Sequence, residues 1–391
     1  NQSRRCKSFR KAKYTHTLLF LKGMSAYMTY RITIKTSLTV FKKEEFSVNR
    51  RFSDFLGLHA KLINKYLHMG IIVPMPPEKD SLGTAKVKIS SKDESTPSDF
   101  IDRRRALLER YLNRLASHGK LIEDPDVRDF LETSGDLPKS KDTAALSGAG
   151  VMRALSSISN TVTKLTMKTA EQDKWFEEQH TIVVDLQTHL KHAYNQFNFV
   201  LNQRKEAGHN LKQFVVTLNH LATTEEHTSL SAALTELANL QEKLEHINSE
   251  YANREYSIVT ELIKEYILLL NMVQLAFNER IKTHQQWLNA EDNLKKARER
   301  KTKLEQSPKN ADKMPQAEAD IRDGEAKVTK GKEDFESISL TIKEEMSAFE
   351  DARAADFIEA IGVYLKNLLE QQEKILELWE GYLPEANKIS V

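Results

Sequence analysis

Leu237-Ala-Asn-Leu-Gln-Glu-Lys-Leu-Glu-His-Ile-Asn-Ser-Glu-Tyr251 sets apolar residues at 237, 240, 244, 247 and 251, in alternating steps of three and four. That is the seam of helices packing on one another. It continues as Ile258, Leu262, Tyr266, Leu269, Val273 and Phe277, with more steps of four. The drift from a strict heptad favours weakly supercoiled helices in a bundle over an extended two-stranded rod. None of the nine prolines falls between Pro138 and Pro308, and proline costs about 3 kcal/mol inside a helix. Three long helices are predicted, at 169–222, 228–305 and 315–382, broken at polar 223–228 and at the proline-bracketed 307–315. At 1.5 Å per residue the second would span about 110 Å. A three-helix bundle of that length leaves apolar seam uncovered, so a dimer is expected.

The chain before Pro138 reads differently. Tyr27-Met-Thr-Tyr-Arg-Ile-Thr-Ile-Lys35 and Phe46-Ser-Val-Asn-Arg-Arg51 are rich in β-branched and aromatic residues, as strands are. Helical faces follow at Phe55, Leu58 and Leu62 and at Leu108, Tyr111, Leu112 and Leu115, separated by the loop Val73-Pro-Met-Pro-Pro-Glu-Lys79. The expectation is a multidomain chain: a small α+β domain ending near Leu137, then an all-α three-helix domain.

Charge divides the chain at the same place. Residues 1–137 hold 26 Lys+Arg against 16 Asp+Glu, and the remainder 32 against 40, within an overall net charge of +2. A basic first third suggests an anionic partner, lipid or nucleic acid. The single cysteine, Cys6, rules out an internal disulfide and points to a reducing compartment. No apolar run approaches the roughly 18 residues of a spanning helix, and no targeting signal is readable, so membrane contact is expected to be peripheral. There is no Walker loop, no His-Glu-x-x-His and no cysteine cluster. Catalytic and metal sites are therefore expected to be absent, and no cofactor is expected. His189 and His192 read as surface or seam residues; Trp175, Trp287 and Trp379 read as core anchors.

Arg50-Arg-Phe-Ser-Asp-Phe55 lies where a strand gives way to a helix. Neighbouring strand residues face opposite ways, so one arginine at most enters a given pocket. A guanidinium fork suits a phosphate monoester, and an adjacent aromatic offers a floor for a sugar ring. By itself the hexapeptide fits solvated arginines equally well. With the proline loop ending in Lys79 and the helix start Arg103-Arg-Arg-Ala-Leu-Leu108, it resembles the PX domain, a phosphoinositide-binding fold. That resemblance makes Arg51 the ligand of the inositol 3-phosphate, Phe52 the ring floor and Ser53 a further donor to the phosphate. Lys79 would meet the bridging phosphate and Arg104 the ring hydroxyls, while Arg50 would face the other way as a structural residue. Residues 1–22 do not look like the family's first strand.

Residues 23–391 as a whole resemble the PX–BAR sorting nexins, most closely the retromer-associated sorting nexin one/two branch. The resemblance is carried by Arg50-Arg-Phe-Ser-Asp-Phe-Leu-Gly-Leu58, Asp124-Pro-Asp-Val-Arg-Asp-Phe-Leu131, Leu146-Ser-Gly-Ala-Gly150, Trp175-Phe-Glu-Glu178 and Tyr382-Leu-Pro-Glu-Ala386. It implies an unassigned segment at 1–22, a PX domain at 23–137, a linker with an amphipathic helix at 138–168, and an elongated, curved, dimeric BAR domain at 169–391. In the linker, Val151, Leu155, Ile158, Val162 and Leu165 share a face opposite a Ser/Thr-rich one. Such a helix inserts into loosely packed bilayers, or else packs as a connector. Lys295, Lys296, Arg298, Arg300, Lys301 and Lys303 would form a lipid-facing tip of the dimer, or an ordinary solvated helix end.

The family reading implies a non-enzymatic protein on the cytosolic face of early endosome membranes and tubules, otherwise cytoplasmic. Its lipid would be phosphatidylinositol 3-phosphate, with phosphatidylinositol 3,5-bisphosphate a second candidate. It would pair with itself or with another BAR-domain sorting nexin and act with the retromer core in endosome-to-trans-Golgi transport. The competing reading is a coiled-coil scaffold tethered by its PX domain without membrane remodelling. Nucleic acid is not an expected partner, because the arginines converge on one small pocket rather than interleaving with aromatics on a sheet face.

Overall fold

The computed structural model describes residues 13–20, 28–77, 97–137, 173–306 and 313–389, with the backbone alone for 13–20, 28 and 97–102. The chain forms two compact units, Asn1–Val183 with Leu268–Ala348, and Val184–Ile267 with Phe349–Val391.

The first unit opens with an antiparallel meander of β1 (Lys13–Phe20), β2 (Met28–Lys35) and β3 (Glu45–Arg51). The alternation of β2 buries Tyr30, Ile32 and Ile34 on one face; on the other, Thr33 Oγ1 and Ser47 Oγ meet across the strands at 3.2 Å. β1 corrects the sequence reading, which left 1–22 unassigned. It pairs with β2 along its whole length, from Lys13↔Lys35 to Phe20↔Met28. The run Leu18-Leu-Phe-Leu21 masked the alternation that marks a strand.

Helices α1 (Phe52–Tyr66), α2 (Pro97–Ser117), α3 (Gly119–Ile122) and α4 (Pro125–Glu132) follow. Phe55 of α1 is the hub of the core, 5.0 Å from the Phe130 ring and 6.3 Å from both Tyr30 and Tyr111. Each such buried side chain contributes roughly 1.5–3 kcal/mol. Asp124 starts α4 by accepting the Asp126 N–H at 2.7 Å, and Pro125 at the first helical position gives up no hydrogen bond there.

His59 is wholly buried in this core, and burial lowers its pKa from 6.5 to about 4, opposed only in part by the Pro74 backbone. The folded chain thus holds it neutral, while the unfolded chain takes up a proton as pH falls below 6.5. Stability is complete above that value and drains away as pH falls toward 4. Between pH 7 and pH 4.5 this one residue should cost about 2–3 kcal/mol. Urea titrations followed by circular dichroism should show a smaller acid loss for His59→Leu. Equal losses would place the acid sensitivity elsewhere.

Within the same unit the small domain packs on the last long helix, α8 (Met314–Ala386). Gly70, at φ +86°, ends a 3₁₀ turn at Leu67–Met69; a methyl group there would lie 2.8 Å from Ile342 Cγ1 and 3.0 Å from Ile338 Cγ1. The Ile72 N–H donates to Glu345 Oε2 at 3.1 Å. His118 accepts the Leu121 N–H on Nδ1, which leaves Nε2 to donate to the Glu345 carboxylate at 3.1 Å. Glycine serves here for its conformation and for the close approach together.

The remaining long helices are α5 (Lys174–Thr224), α6 (Thr228–Glu255) and α7 (Glu261–Glu305). A π-helical turn, Tyr256–Thr260, joins α6 to α7. In the first unit the buried Arg280 guanidinium lies 3.6 Å from the centre of the Phe176 ring and 4.6 Å from that of Phe335. In the second, Tyr266 packs between Phe349 and Phe357 and donates to Asp356 Oδ2 at 2.7 Å.

Two sequence expectations fail here. Leu240, Leu244, Tyr251, Leu262 and Tyr266 of the quoted seam are already covered within one chain. The surplus apolar surface lies instead on α8, where Ile358, Ile361, Leu365, Leu369, Leu376, Trp379 and Leu383 form an exposed stripe at helical spacing, and on α5 at Phe199, Phe214 and Leu221. Trp379, 41% exposed, belongs to that stripe and is no core anchor.

Candidate phosphoinositide-binding site

The strand-to-helix junction separates the two arginines by backbone geometry. Val48 and Arg50 point inward from β3, and the chain turns at Arg51, whose N–H donates to Asp54 Oδ2 at 2.8 Å and so caps α1. Arg50 is 1% exposed. It donates to the carbonyls of Phe130 (2.7 Å), Asn49 (2.8 Å), Thr133 (2.6 Å) and Gly135 (3.1 Å), with its guanidinium over the Phe130 ring. Burial lowers its pKa, opposed by Asp54 and Asp136. It is a structural clamp, the role that the resemblance to the PX domain implied for it.

Arg51 emerges on the other side, with its side chain 23% exposed, and forms an ion pair with Asp136, which is 72% exposed. Phe52 follows as the first residue of α1, and the Arg104 guanidinium of α2 lies 4.7 Å from its ring centre. Arg104 is buried, one helical turn before Leu108, and hydrogen-bonds Tyr30. Burial raises the Tyr30 pKa, and the neighbouring Arg104 pulls it back. Ser53 is exposed beside them. Arg51, Phe52, Ser53 and Arg104 thus come together from β3, α1 and α2, although Arg104 is 53 residues from Arg51. Lys79 lies outside the described residues.

The chemistry open to this cluster is anion capture. It presents two guanidinium groups and an aromatic face, and among the described residues no group of side chains fits a metal ion. Sequence reasoning missed Asp136 and Tyr30. Nothing local in the sequence ties Asp136 to a strand more than eighty residues earlier.

Of the other predicted site residues, Val151, Leu155, Ile158, Val162 and Leu165 lie outside the described residues. The basic end of α7 is described, and it is less bare than its sequence suggested. Lys296 pairs with Asp292 (2.6 Å), Arg298 with Glu325 (2.8 Å), Arg300 with Asp320 (3.5 Å) and Lys301 with Glu318 (3.1 Å). The facing segment of α8 supplies three of those four carboxylates. Among the described residues Lys295 and Lys303 carry no ion pair.

A family model described as PX domain matches residues 38–134, and one described as Vps5 C terminal like matches residues 151–385. Sorting nexin-2 of Bos taurus is 44% identical over 368 residues, covering 94% of this chain and 70% of that protein. The chain belongs to the PX–BAR sorting nexins. Sorting nexin-1 of Rattus norvegicus is 41% identical over the same shares of both chains. The cryo-EM structure of the SNX-BAR Mvp1 tetramer superimposes with a TM-score of 0.59 at 16% identity, covering 95% of this sorting nexin and 100% of that chain, which shows a shared fold. This sorting nexin is therefore a non-enzymatic, membrane-lipid-binding trafficking protein of the Vps5 type. Its PX domain implies phosphoinositide binding, and its BAR region implies dimerisation. No described helix is long and apolar enough to cross a membrane.

Proposed function

We propose that this sorting nexin binds phosphatidylinositol 3-phosphate on the cytosolic face of early endosomes through Arg51, Phe52, Ser53, Lys79 and Arg104. Dimerised with itself or with a related BAR-domain sorting nexin, it bends that membrane into tubules and serves endosome-to-trans-Golgi transport with the retromer core. The observation that carries the headgroup assignment is the Arg104 guanidinium against the Phe52 ring, next to Arg51. Two forks around an aromatic floor suit a phosphorylated polyol better than a bulk anionic surface. Dimerisation doubles every contact, and linked weak sites gain avidity of roughly 10²–10⁴. The stretch from Val151 to Leu165 supplies insertion. At the end of α7, Lys295 and Lys303 supply most of the free positive charge, because the other cations face carboxylates.

Vesicle flotation across phosphoinositides tests the reading, with phosphatidylserine vesicles of matched charge as the control. Vesicles carrying a 3-phosphate should bind far more tightly than the phosphatidylserine control. Equal binding to all of them would reduce the PX domain to a generic basic surface and overturn the headgroup assignment.

A further inference from the structure

The segment that leaves the PX domain is held by both adjacent arginines, in two different ways. Arg50 grips it through the part-buried carbonyls of Thr133 and Gly135, in addition to the buried one of Phe130. Arg51 takes the next side chain, the carboxylate of Asp136. Gly135 makes this possible: at φ +108° it adopts a conformation that L side chains rarely reach. Its carbonyl therefore meets Arg50 while the following side chain meets Arg51. The Arg50 side chain is buried, and its guanidinium holds several carbonyls at once. Asp136 is largely in water, so its carboxylate can swing away from Arg51 while the backbone up to Gly135 stays clamped.

We propose that Asp136 is an internal competitor for the anion site: its carboxylate occupies the Arg51 fork in the lipid-free chain, and a headgroup phosphate must displace it. The proposal rests on Arg51 being the phosphate ligand. A carboxylate and a phosphate monoester both present paired oxygens to a guanidinium, and the monoester carries more charge. A carboxylate left in place beside the bound phosphate would also repel it. Asp136 thus sets how tightly the pocket binds without touching the lipid in the bound state. An exposed ion pair of this type contributes little to the fold, so its effect belongs to binding.

The test is calorimetric titration of the full chain with a soluble short-chain phosphatidylinositol 3-phosphate, which removes vesicle avidity and bulk surface charge. Asp136→Asn should tighten binding about three- to tenfold, the sum of a surface ion pair and a like-charge repulsion removed. Asp136→Glu should not, and both variants should melt with the unmodified chain. In an Arg51→Gln background, Asp136→Asn should give no gain. Unchanged or weaker binding by Asp136→Asn overturns the proposal, as does an equal gain in the Arg51→Gln background, which would mark a general field effect. Arg51→Gln binding like the unmodified chain would strike instead at the headgroup reading beneath it. Inorganic phosphate is the second arm: negligible heat from it supports the lipid headgroup as the source, and binding equal to the soluble lipid would overturn that assignment.

Discussion

Arg51→Gln should lose about 2–5 kcal/mol of phosphoinositide binding, the cost of removing one partner of a charge-assisted phosphate pair. That is roughly thirtyfold to several-thousandfold in affinity, enough to abolish flotation at ordinary lipid loads. The fold should survive, since the Asp136 partner of Arg51 is exposed and surface ion pairs contribute about 0–1 kcal/mol. The neighbouring substitution should do the reverse. Arg50→Gln would strip donors from the carbonyls of Phe130, Thr133 and Gly135, at about 1–3 kcal/mol for the buried Phe130 group left unpaired and less for the two part-buried ones. It should lower the melting temperature before it changes any affinity. Flotation and thermal melts of the two variants separate the roles. Unaltered flotation of Arg51→Gln would remove that residue from the site.

The second large effect concerns the dimer. Leu365→Glu with Leu369→Glu should turn a micromolar dimer into a folded monomer. Both side chains are more than half exposed in the single chain, at 57% and 62%, so charge there costs the protomer little. In a dimer interface of about 2,000 Å² the same positions are covered. Losing two buried leucines costs about 3–6 kcal/mol, a shift in dimer affinity of at least roughly a hundredfold. Sedimentation of the full chain reads it directly, and vesicle tubulation should fail with it. A variant that stays dimeric would move the interface off this stripe. An unmodified chain that sediments as a folded monomer would remove it altogether.

Why the stripe was misplaced shows how far a pattern can be read. A three-and-four repeat reports that a helix face is covered, and both a core and an interface impose it. Leu244 and Leu369 therefore look alike in sequence, and only the packing of one chain shows that the first is covered and the second is open. Trp379 was misread for the same reason. The long helices themselves were legible, because missing prolines are a property of the chain and need no partner. That Arg50 and Arg51 face opposite ways was legible too, from strand alternation alone; which of them turns inward came from the PX resemblance. Asp136 was not: its pairing depends on how α4 returns across β3, and no local rule reports a contact between turns so far apart. β1 stayed hidden because its apolar residues cluster at one end of the strand, so period two is obscured.

The π turn at Tyr256–Thr260 acts as a phase corrector. From Leu240 to Tyr266 the buried face must recur over 26 residues, while seven turns of a straight α-helix use about 25. The wider turn absorbs the spare residue, so Leu240, Leu244, Tyr251, Leu262 and Tyr266 all remain inward. Deleting one residue of that turn would leave 25 residues for the seven turns, a regular α-helix in the same phase. Adding one would rotate everything after it by about 100°, and Tyr266 would swing off Phe349, Phe357 and Asp356. A loss of one residue is therefore absorbed in this stretch, and a gain is not.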